Sequence, residues 1–388
     1  MIICPHCKKV FDAAGNVVCP SCDETAPRGY EFSDGEEYLR AQMPLVLEER
    51  KRLGLDELSG GLELVIVNTE KTRLKAAVEE MIGLTGYRFA EAFQDEEFIT
   101  CILSLEGSAD ILVRSRQESY NPFTVFNKFP KTFHLPNTRL ETYVFGTPDI
   151  KRLVDIQKSR GIDFLTDFII YTDHYAFIQT PPSRFTGNST GFIQWLGEPR
   201  RYISRTGKPL DWKFPKPDKP PLSKIGRLDH AATRVRAEER NAAIIEFMIL
   251  TNYSFDFAIL VKSLNSITSV TRITPDDFAL VFTSGKSQYV NDKLSGPTEK
   301  FVHNYGARTH HLAFSTEDID NTVASLRADG LEFLSDLVGS PDEGLQQVFS
   351  IASEHTFLVT EYIHRYNGFD GFFTRSNVTE LTRVTDKQ

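Results

Sequence analysis

His230 in Leu228-Asp-His-Ala, the pair His310-His311 in Arg308-Thr-His-His-Leu-Ala-Phe, and Glu361 in Thr360-Glu-Tyr-Ile-His each sit in a short run of strand-like sequence. Two imidazoles and one carboxylate, brought to one point by three strands, hold a divalent transition metal on one face and leave its other positions open. Open positions favour Fe(II) and chemistry with dioxygen, although Mn(II), Co(II) and Zn(II) accept the same donors. A carboxylate among apolar strand residues costs several kcal/mol unless it is paired or metal-bound. Glu361, in Phe357-Leu-Val-Thr-Glu-Tyr-Ile, therefore calls for a metal or an Arg or Lys partner. Neighbouring strand residues point to opposite faces, so only one of His310 and His311 is expected to enter such a site. The strand pattern alone does not choose between them. His303, His355 and His364 read as loop or strand-end residues.

A second donor set lies at the start of the chain, as Cys4-Pro-His-Cys7 and Cys19-Pro-Ser-Cys22. Each Cys-x-x-Cys turn offers two thiolates to one tetrahedral ion, and two such turns close the site. Cys4, Cys7, Cys19 and Cys22 thus predict a structural Zn(II) ribbon. The fifth cysteine, Cys101 in Phe98-Ile-Thr-Cys-Ile-Leu, reads as a buried strand residue.

The elements that must position the histidines come from a repeat. After a helical stretch from Asp34 to Arg50, which Pro44 is expected to kink or divide, short β-rich runs alternate with single helices. Leu62 to Val67 is a strand, Glu70 to Ile82 a helix, and Phe98 to Leu105 and Ala109 to Val113 are strands. The order recurs from Leu140, Leu228 and Thr309, which predicts an α+β protein of four βαβββ modules. Phe145-Gly-Thr-Pro-Asp-Ile-Lys-Arg-Leu-Val154 matches Phe314-Ser-Thr-Glu-Asp-Ile-Asp-Asn-Thr-Val323, and Gly161-Ile-Asp-Phe-Leu-Thr-Asp167 continues against Gly330-Leu-Glu-Phe-Leu-Ser-Asp336, all without a gap. The threonines Thr147 and Thr316 are expected as helix N-caps and the glycines as C-terminal caps. Each pair of modules forms an open, barrel-like mixed sheet with outer helices. The expected division is a zinc ribbon (1–30), a helical linker (31–60), an N-terminal domain without metal ligands (61–200), a Pro-rich linker (201–222) and a C-terminal metal-binding domain (223–388).

The repeat singles out the donors. His230 aligns with Leu64, His311 with Thr142, and Thr360-Glu361-Tyr-Ile with Ile193-Gln194-Trp-Leu. One half carries His, His and Glu where the other carries Leu, Thr and Gln, so the scaffold itself does not require them.

The run from Thr309 to Leu334 resembles the 4-hydroxyphenylpyruvate dioxygenase family of the vicinal oxygen chelate superfamily, with its His-[Ile/Leu]-Ala-Leu strand, Asp-Ile helix start and Gly-x-x-Phe return. Leu228-Asp-His230 resembles that family's first-ligand strand, and Thr360-Glu361-Tyr-Ile-His-Arg365 its third-ligand strand. By this resemblance His311 rather than His310 joins His230 and Glu361 as an iron ligand. The resemblance further implies a substrate-facing glutamine at Gln347, in Gly344-Leu-Gln-Gln-Val-Phe, and a pocket-closing helix from Phe373-Thr-Arg-Ser-Asn377. Ser266, Phe373, Arg375 and Asn377 join Gln347 as expected substrate contacts. The implied reaction is oxidative decarboxylation and hydroxylation of a 2-oxo acid, aromatic in kind, bound bidentate to Fe(II) with dioxygen beside it.

Two other readings fit the same motifs. Extradiol-type ring cleavage needs an acid/base histidine near the metal, for which His310 and His303 are the candidates. A non-catalytic zinc-ribbon adaptor needs only ligand binding. With 40% hydrophobic and 25% charged residues the composition is that of a globular protein, and a net charge of -9 argues against a broad nucleic-acid-binding face. No apolar run approaches the roughly 18 residues of a membrane span, and the first residues lack the shape of a signal peptide. The expected location is the cytoplasm and the expected partners are a small molecule and dioxygen; a homodimer is one assembly open to it.

Overall fold

The structure, a computed structural model, describes residues 2–3, 10–11, 36–369 and 371–388. The four N-terminal cysteines, and with them the expected zinc ribbon, lie outside the described residues. The two short strands β1 (Ile2–Ile3) and β2 (Val10–Phe11) pair antiparallel. Helix α1 (Glu36–Leu53) follows, with Glu36 and Glu37 in its first turn and Arg50, Lys51 and Arg52 in its last, the charge order that suits the helix dipole. It runs unbroken through Pro44, so of the kink or division expected there, the division does not occur. Arg50 anchors it to the second half of the chain, donating to the carbonyls of Tyr253 (2.6 Å) and Asn252 (3.1 Å).

Two mixed sheets carry the rest. The first is built from β3 (Leu62–Asn68), α2 (Leu74–Leu84), β4 (Arg88–Gln94), β5 (Phe98–Ser104) and β6 (Asp110–Arg116), then β7 (Arg139–Gly146), α3 (Ile150–Ser159), β8 (Ile170–Tyr171), β9 (Tyr175–Gln179) and β10 (Ser189–Trp195), with β11 (Lys208–Pro209) on its edge. The second repeats this with β12 (Ile225–Arg234), α4 (Arg240–Leu250), β13 (Ser254–Val261), β14 (Ser266–Arg272) and β15 (Ala279–Gly285), then, after helix α5 (Pro297–Tyr305), β16 (Arg308–Thr316), α6 (Ile319–Ala328), β17 (Val338–Ser340), β18 (Leu345–Ala352) and β19 (Val359–Arg365), closed by α7 (Arg375–Val384). Strand order β4-β5-β6-β3-β7-β10-β9-β8 in the first sheet is answered by β13-β14-β15-β12-β16-β19-β18-β17 in the second. These are the four expected βαβββ modules.

Alternation along each strand divides its side chains between two environments. Val65 and Val67 enter the large apolar cluster shared with the helices, while Leu64 and Ile66 face the other way. In β12 the equivalent split sends Ala231 to the helices, and Ala232 joins the cluster on the opposite face. Cys101 is fully buried in β5, as expected.

The two matching helix starts have the same geometry, but the cap is not the expected residue. Asp149 (φ −147°) accepts from the Arg152 amide and Asp318 (φ −146°) from the Asn321 amide. Thr147 and Thr316 instead stand two residues earlier and accept from the amides of those aspartates. A carboxylate at the cap meets the dipole as well as the free N–H groups, which favours Asp over Thr there. Gly161 (φ 81°) and Gly330 (φ 92°) do end the helices in the left-handed conformation.

The halves meet along β7 and β16 through a reciprocal exchange. Arg139 Nη2 donates to the Ala307 carbonyl (3.2 Å), and its counterpart Arg308 Nη2 to the Thr138 carbonyl (2.7 Å). Gly86, after α2, lies so close to β12 that a Cβ on it would stand 2.0 Å from the Ile225 carbonyl oxygen. Backbone on both sides leaves that overlap no flexible side chain to yield. Gly86→Ala is expected to lower unfolding stability by about 2 kcal/mol or more, read as the midpoint of urea denaturation; an unchanged midpoint means the contact relaxes freely.

Candidate metal centre

β12, β16 and β19 are neighbours at the middle of the second sheet. Registers place His230 and Glu361 on either side of Ala313, in one row across the three strands. His311 lies two residues back along β16, on the same face as Ala313. A methyl group at the centre of the row leaves the space above it free for the three longer side chains to converge. Their donor atoms lie within 4.8 Å of one another. Glu361 Oε2 is 3.1 Å from His230 Nε2 and 3.2 Å from His311 Nε2. All three residues are buried.

The shared strand pattern also corrects the sequence alignment of the third donor. Ala313 pairs with Glu361 as Val144 pairs with Gly191, so the counterpart of Glu361 is Gly191 and not Gln194. The two strands carry the same sequence of buried and half-buried positions. The chain between α3 and β10 differs in length from that between α6 and β19, which an ungapped extension cannot follow. Leu64, Thr142 and Gly191 are thus what the first half has at these places.

Partners on the far side fix the rings. His230 Nδ1 lies 2.8 Å from Asp229 Oδ1, and Asp229 in turn holds Arg365 through two bonds (2.6 and 3.0 Å). Burial alone would raise the Asp229 pKa; the His230 hydrogen bond and the Arg365 guanidinium outweigh it and hold the carboxyl well below its usual range. Burial likewise acts to lower His230, but Glu361 and Asp229 together push it up to about 9. With Nδ1–H directed to Asp229, Nε2 is left as a buried nitrogen that faces the Glu361 carboxylate without a well-aligned hydrogen bond. An ion about 2.1 Å from each donor would set adjacent donors roughly 3 Å apart, close to the 3.1 and 3.2 Å that separate Glu361 Oε2 from the two imidazole nitrogens. The donor set, the orphaned nitrogen and the burial fit a divalent cation.

His310 departs from expectation. β12 and β16 slip register between Ala232 and Thr233, and His310 is the residue passed over. A bulge of this kind re-aims side chains, and both His310 and His311 face the cavity beside the donors. Their Nδ1 atoms are 2.8 Å apart, and His310 Nε2 lies 2.7 Å from Gln388 Oε1. If His311 Nε2 is to carry a free lone pair, its Nδ1–H donates to His310 Nδ1, and His310 Nε2–H donates to Gln388. Burial, then neighbouring cationic groups that include Arg234, hold both imidazoles well below the usual histidine pKa. His303 instead stacks on Tyr289, with ring centroids 3.9 Å apart, and His364 Nδ1 meets the Thr316 carbonyl.

A cavity of about 50 Å³ adjoins the donors, walled by six strands of the sheet, by α7 and by Thr298 of α5. Of the five expected substrate contacts, Ser266, Gln347 and Phe373 line it. Arg375 does not: it donates to the Leu260 carbonyl (2.9 Å). Asn377 also stands behind the wall, where its Nδ2 donates to Gln347 Oε1 (3.0 Å) while Gln347 Nε2 donates to Glu361 Oε1 (2.5 Å). The amide of Gln347 is therefore committed at both ends, and Asn377 acts through it. Gln347→Leu leaves Glu361 Oε1 buried without a donor; a 10–100-fold weaker affinity for Co(II) is expected, the usual effect of losing an outer partner. Competition against a chelating dye measures it, and an unchanged constant assigns Gln347 to substrate alone.

Sequence reasoning passed over Asp229, Arg365 and Arg234. A period-two reading shows two of them, since Arg234 shares a face with His230, and Arg365 with Glu361. In the first half the same side of the sheet holds a larger cavity of about 510 Å³. There the bulge residue is Glu141, bound by Arg114 (3.1 Å) and Arg116, and Thr142 Oγ1 donates to Gln179 (3.0 Å).

No protein-family model and no curated protein matches the chain. Among solved structures, a mutant of 4-hydroxymandelate synthase from Streptomyces coelicolor matches with a TM-score of 0.62 at 16% identity, over 85% of this chain and 99% of that one. A xylose isomerase-like TIM barrel/4-hydroxyphenylpyruvate dioxygenase fusion protein matches with a TM-score of 0.59 at 14% identity, over 92% of this chain and 59% of the fusion. At these identities the likeness is one of fold, the paired mixed sheets with outer helices described above. Among the described residues no helix is long and apolar enough to cross a membrane.

Proposed function

We propose that this chain is an Fe(II)-dependent dioxygenase that oxidatively decarboxylates a 2-oxo acid, aromatic in kind, and hydroxylates the same molecule. The observation that carries this is the buried set of His230, His311 and Glu361, their donor atoms converging beside a cavity between the sheet and α7. Two solved structures of like fold, one a 4-hydroxymandelate synthase and one containing a 4-hydroxyphenylpyruvate dioxygenase, support the class of reaction. When bound, the iron supplies a Lewis-acid site for the 2-oxo acid and activates dioxygen.

The chain's own part is to bind, orient and keep dry. Asp229 and His310 fix the two imidazoles, each with a contact at Nδ1. Gln347 and Asn377 hold the Glu361 carboxylate with one oxygen turned to the site. Phe373 packs edge-on against the His230 ring at 5.2 Å and excludes water from it. A cavity of about 50 Å³ holds one or two waters, at roughly 30 Å³ each. An aromatic acid is larger than this cavity, so the walls that α7 and Phe373 form would have to yield for it to enter.

Ring cleavage is the weaker reading. Both nitrogens of His310 are engaged, by His311 and Gln388, which leaves it no lone pair for a substrate proton. The same proposal assigns the metal to the C-terminal half, leaves the first half without one, and gives Cys4, Cys7, Cys19 and Cys22 a structural zinc.

The test loads metal-free protein with Fe(II) under anaerobic conditions, adds aryl 2-oxo acids or catechols, and admits air. Release of carbon dioxide in step with oxygen uptake on a 2-oxo acid is the expected result. Uptake on a catechol with no carbon dioxide would replace this reading with ring cleavage.

A further inference from the structure

The arginine at the end of β12 has no account in the fold. Arg234 lies on the face that carries His230 and forms part of the cavity wall together with His310 and His311. It is 5% exposed, yet its guanidinium makes no hydrogen bond or ion pair to any described residue, and Nη1 is shut off from solvent. The Phe301 ring lies beside it, with the centroid 4.6 Å from Cζ. A contact with an aromatic ring satisfies none of the guanidinium N–H groups as a hydrogen bond would.

Other buried arginines are spoken for. Arg50 pairs with Asp56, Arg116 with Glu141, and Arg139 and Arg308 exchange carbonyls across the seam. Arg308 has a counterpart in Arg139 and so serves the scaffold of both halves. The counterpart of Arg234 is Asn68, an ordinary buried amide that donates to the Asn137 carbonyl. The unpaired cation is confined to the half that carries the metal donors. A buried charge is retained against its desolvation cost when something pairs with it. Burial lowers the Arg234 pKa to about 9, with Tyr305 opposing, so the group stays cationic at neutral pH.

We propose that Arg234 receives a second oxyanion of the substrate, so that the cavity takes a 2-oxo acid bearing a further acidic group, a carboxylate in the simplest case, at the end away from the metal. This rests on the 2-oxo acid reading above. The in-plane edge of the guanidinium suits two parallel N–H···O bonds to a carboxylate. The metal-chelating end and the arginine would then fix both ends of one molecule.

Two measurements test it on wild type, Arg234→Met and Arg234→Lys. In metal-free protein, trifluoroacetate serves as a small oxyanion probe, followed by the width of its fluorine resonance. Broadening by wild type, less by Arg234→Lys and none by Arg234→Met is expected. In Co(II)-loaded protein, the visible spectrum follows binding of matched acids: 2-oxoglutarate against 2-oxopentanoate, and 4-carboxyphenylpyruvate against 4-methylphenylpyruvate. Wild type is expected to favour the diacid of at least one pair by about tenfold or more, as a charge-assisted bond would, and Arg234→Met to lose that preference at an unchanged Co(II) affinity. Met in place of an unpaired cation is expected to fold and melt no lower than wild type; Arg234→Gln is the substitute if it does not. Equal broadening by wild type and the neutral variant, or 2-oxo acids that do shift the Co(II) spectrum but show no diacid preference in either pair, overturns the proposal. Arginine-dependent broadening while no 2-oxo acid disturbs the Co(II) spectrum refutes the 2-oxo acid reading instead and leaves the oxyanion site standing.

Discussion

Glu361→Gln is expected to abolish oxygen uptake and to weaken Fe(II) and Co(II) binding by at least about a hundredfold, beyond what the loss of an outer partner causes. The substitution is nearly isosteric and keeps an oxygen for Gln347 to bond, so the packing of β19 survives. What it removes is the only carboxylate among the three donors. Thermal unfolding gives a readout independent of turnover, because a ligand that binds only the folded state stabilises it in proportion to its occupancy. At a concentration one hundred times the wild-type dissociation constant the metal adds about 2.7 kcal/mol, and in a variant bound a hundredfold more weakly about 0.4 kcal/mol. For a chain of this size the first corresponds to a rise in melting temperature of roughly 3 °C and the second to almost none. A full metal-induced rise in Glu361→Gln would remove Glu361 from the donor set.

Much of the fold was legible because its period repeats. Strands with alternating faces and single helices between them recur four times, glycines end the helices of the second and fourth modules, and each recurrence checks the last. Meeting of His230, His311 and Glu361 was legible for a related reason: the first half keeps the strands and omits the donors, so the donors stand out against their own scaffold. What escaped was local geometry. A β-bulge depends on the hydrogen bonds between two strands rather than on the residues of one, so the turning of His310 into the cavity left no mark in its own sequence. Gly191 was missed because the loop lengths differ between modules. Asp149 and Asp318, not the expected Thr147 and Thr316, take the cap position; both residue types suit it, and the pattern alone does not choose.

The two halves show how a shared scaffold divides its labour. In both, the bulge residue on the central strand is polar and buried, but Glu141 spends its charge on Arg114 and Arg116, while His310 is spent on His311. In the second half two of the buried polar groups without a hydrogen bond, His230 Nε2 and the Arg234 guanidinium, belong to residues on one face of β12. Unsatisfied groups at these two points are costly in the folded protein alone; on the readings above, a metal ion meets the first cost and an oxyanion the second.

Asp229→Asn is expected to act on metal binding and on stability through different atoms. On the metal side, the carboxylate fixes the proton on His230 Nδ1. An amide facing that nitrogen can present either oxygen or N–H, so the ring no longer has one enforced tautomer and Nε2 is a free donor for only part of the time. The affinity for Co(II) is expected to fall 10–100-fold. On the stability side, Arg365 loses both charge-assisted bonds. Its side chain keeps 24% of its exposure, so water offsets part of that loss; about 1–3 kcal/mol is the expected decrease for the metal-free protein. Asp229→Asn with Arg365→Met separates the two, since the double variant leaves no guanidinium unpaired. Stability is expected to return toward wild type while the metal affinity stays low. Recovery of both together would mean that Asp229 serves the centre only by tying β12 to β19, and that the tautomer of His230 is set by the metal itself.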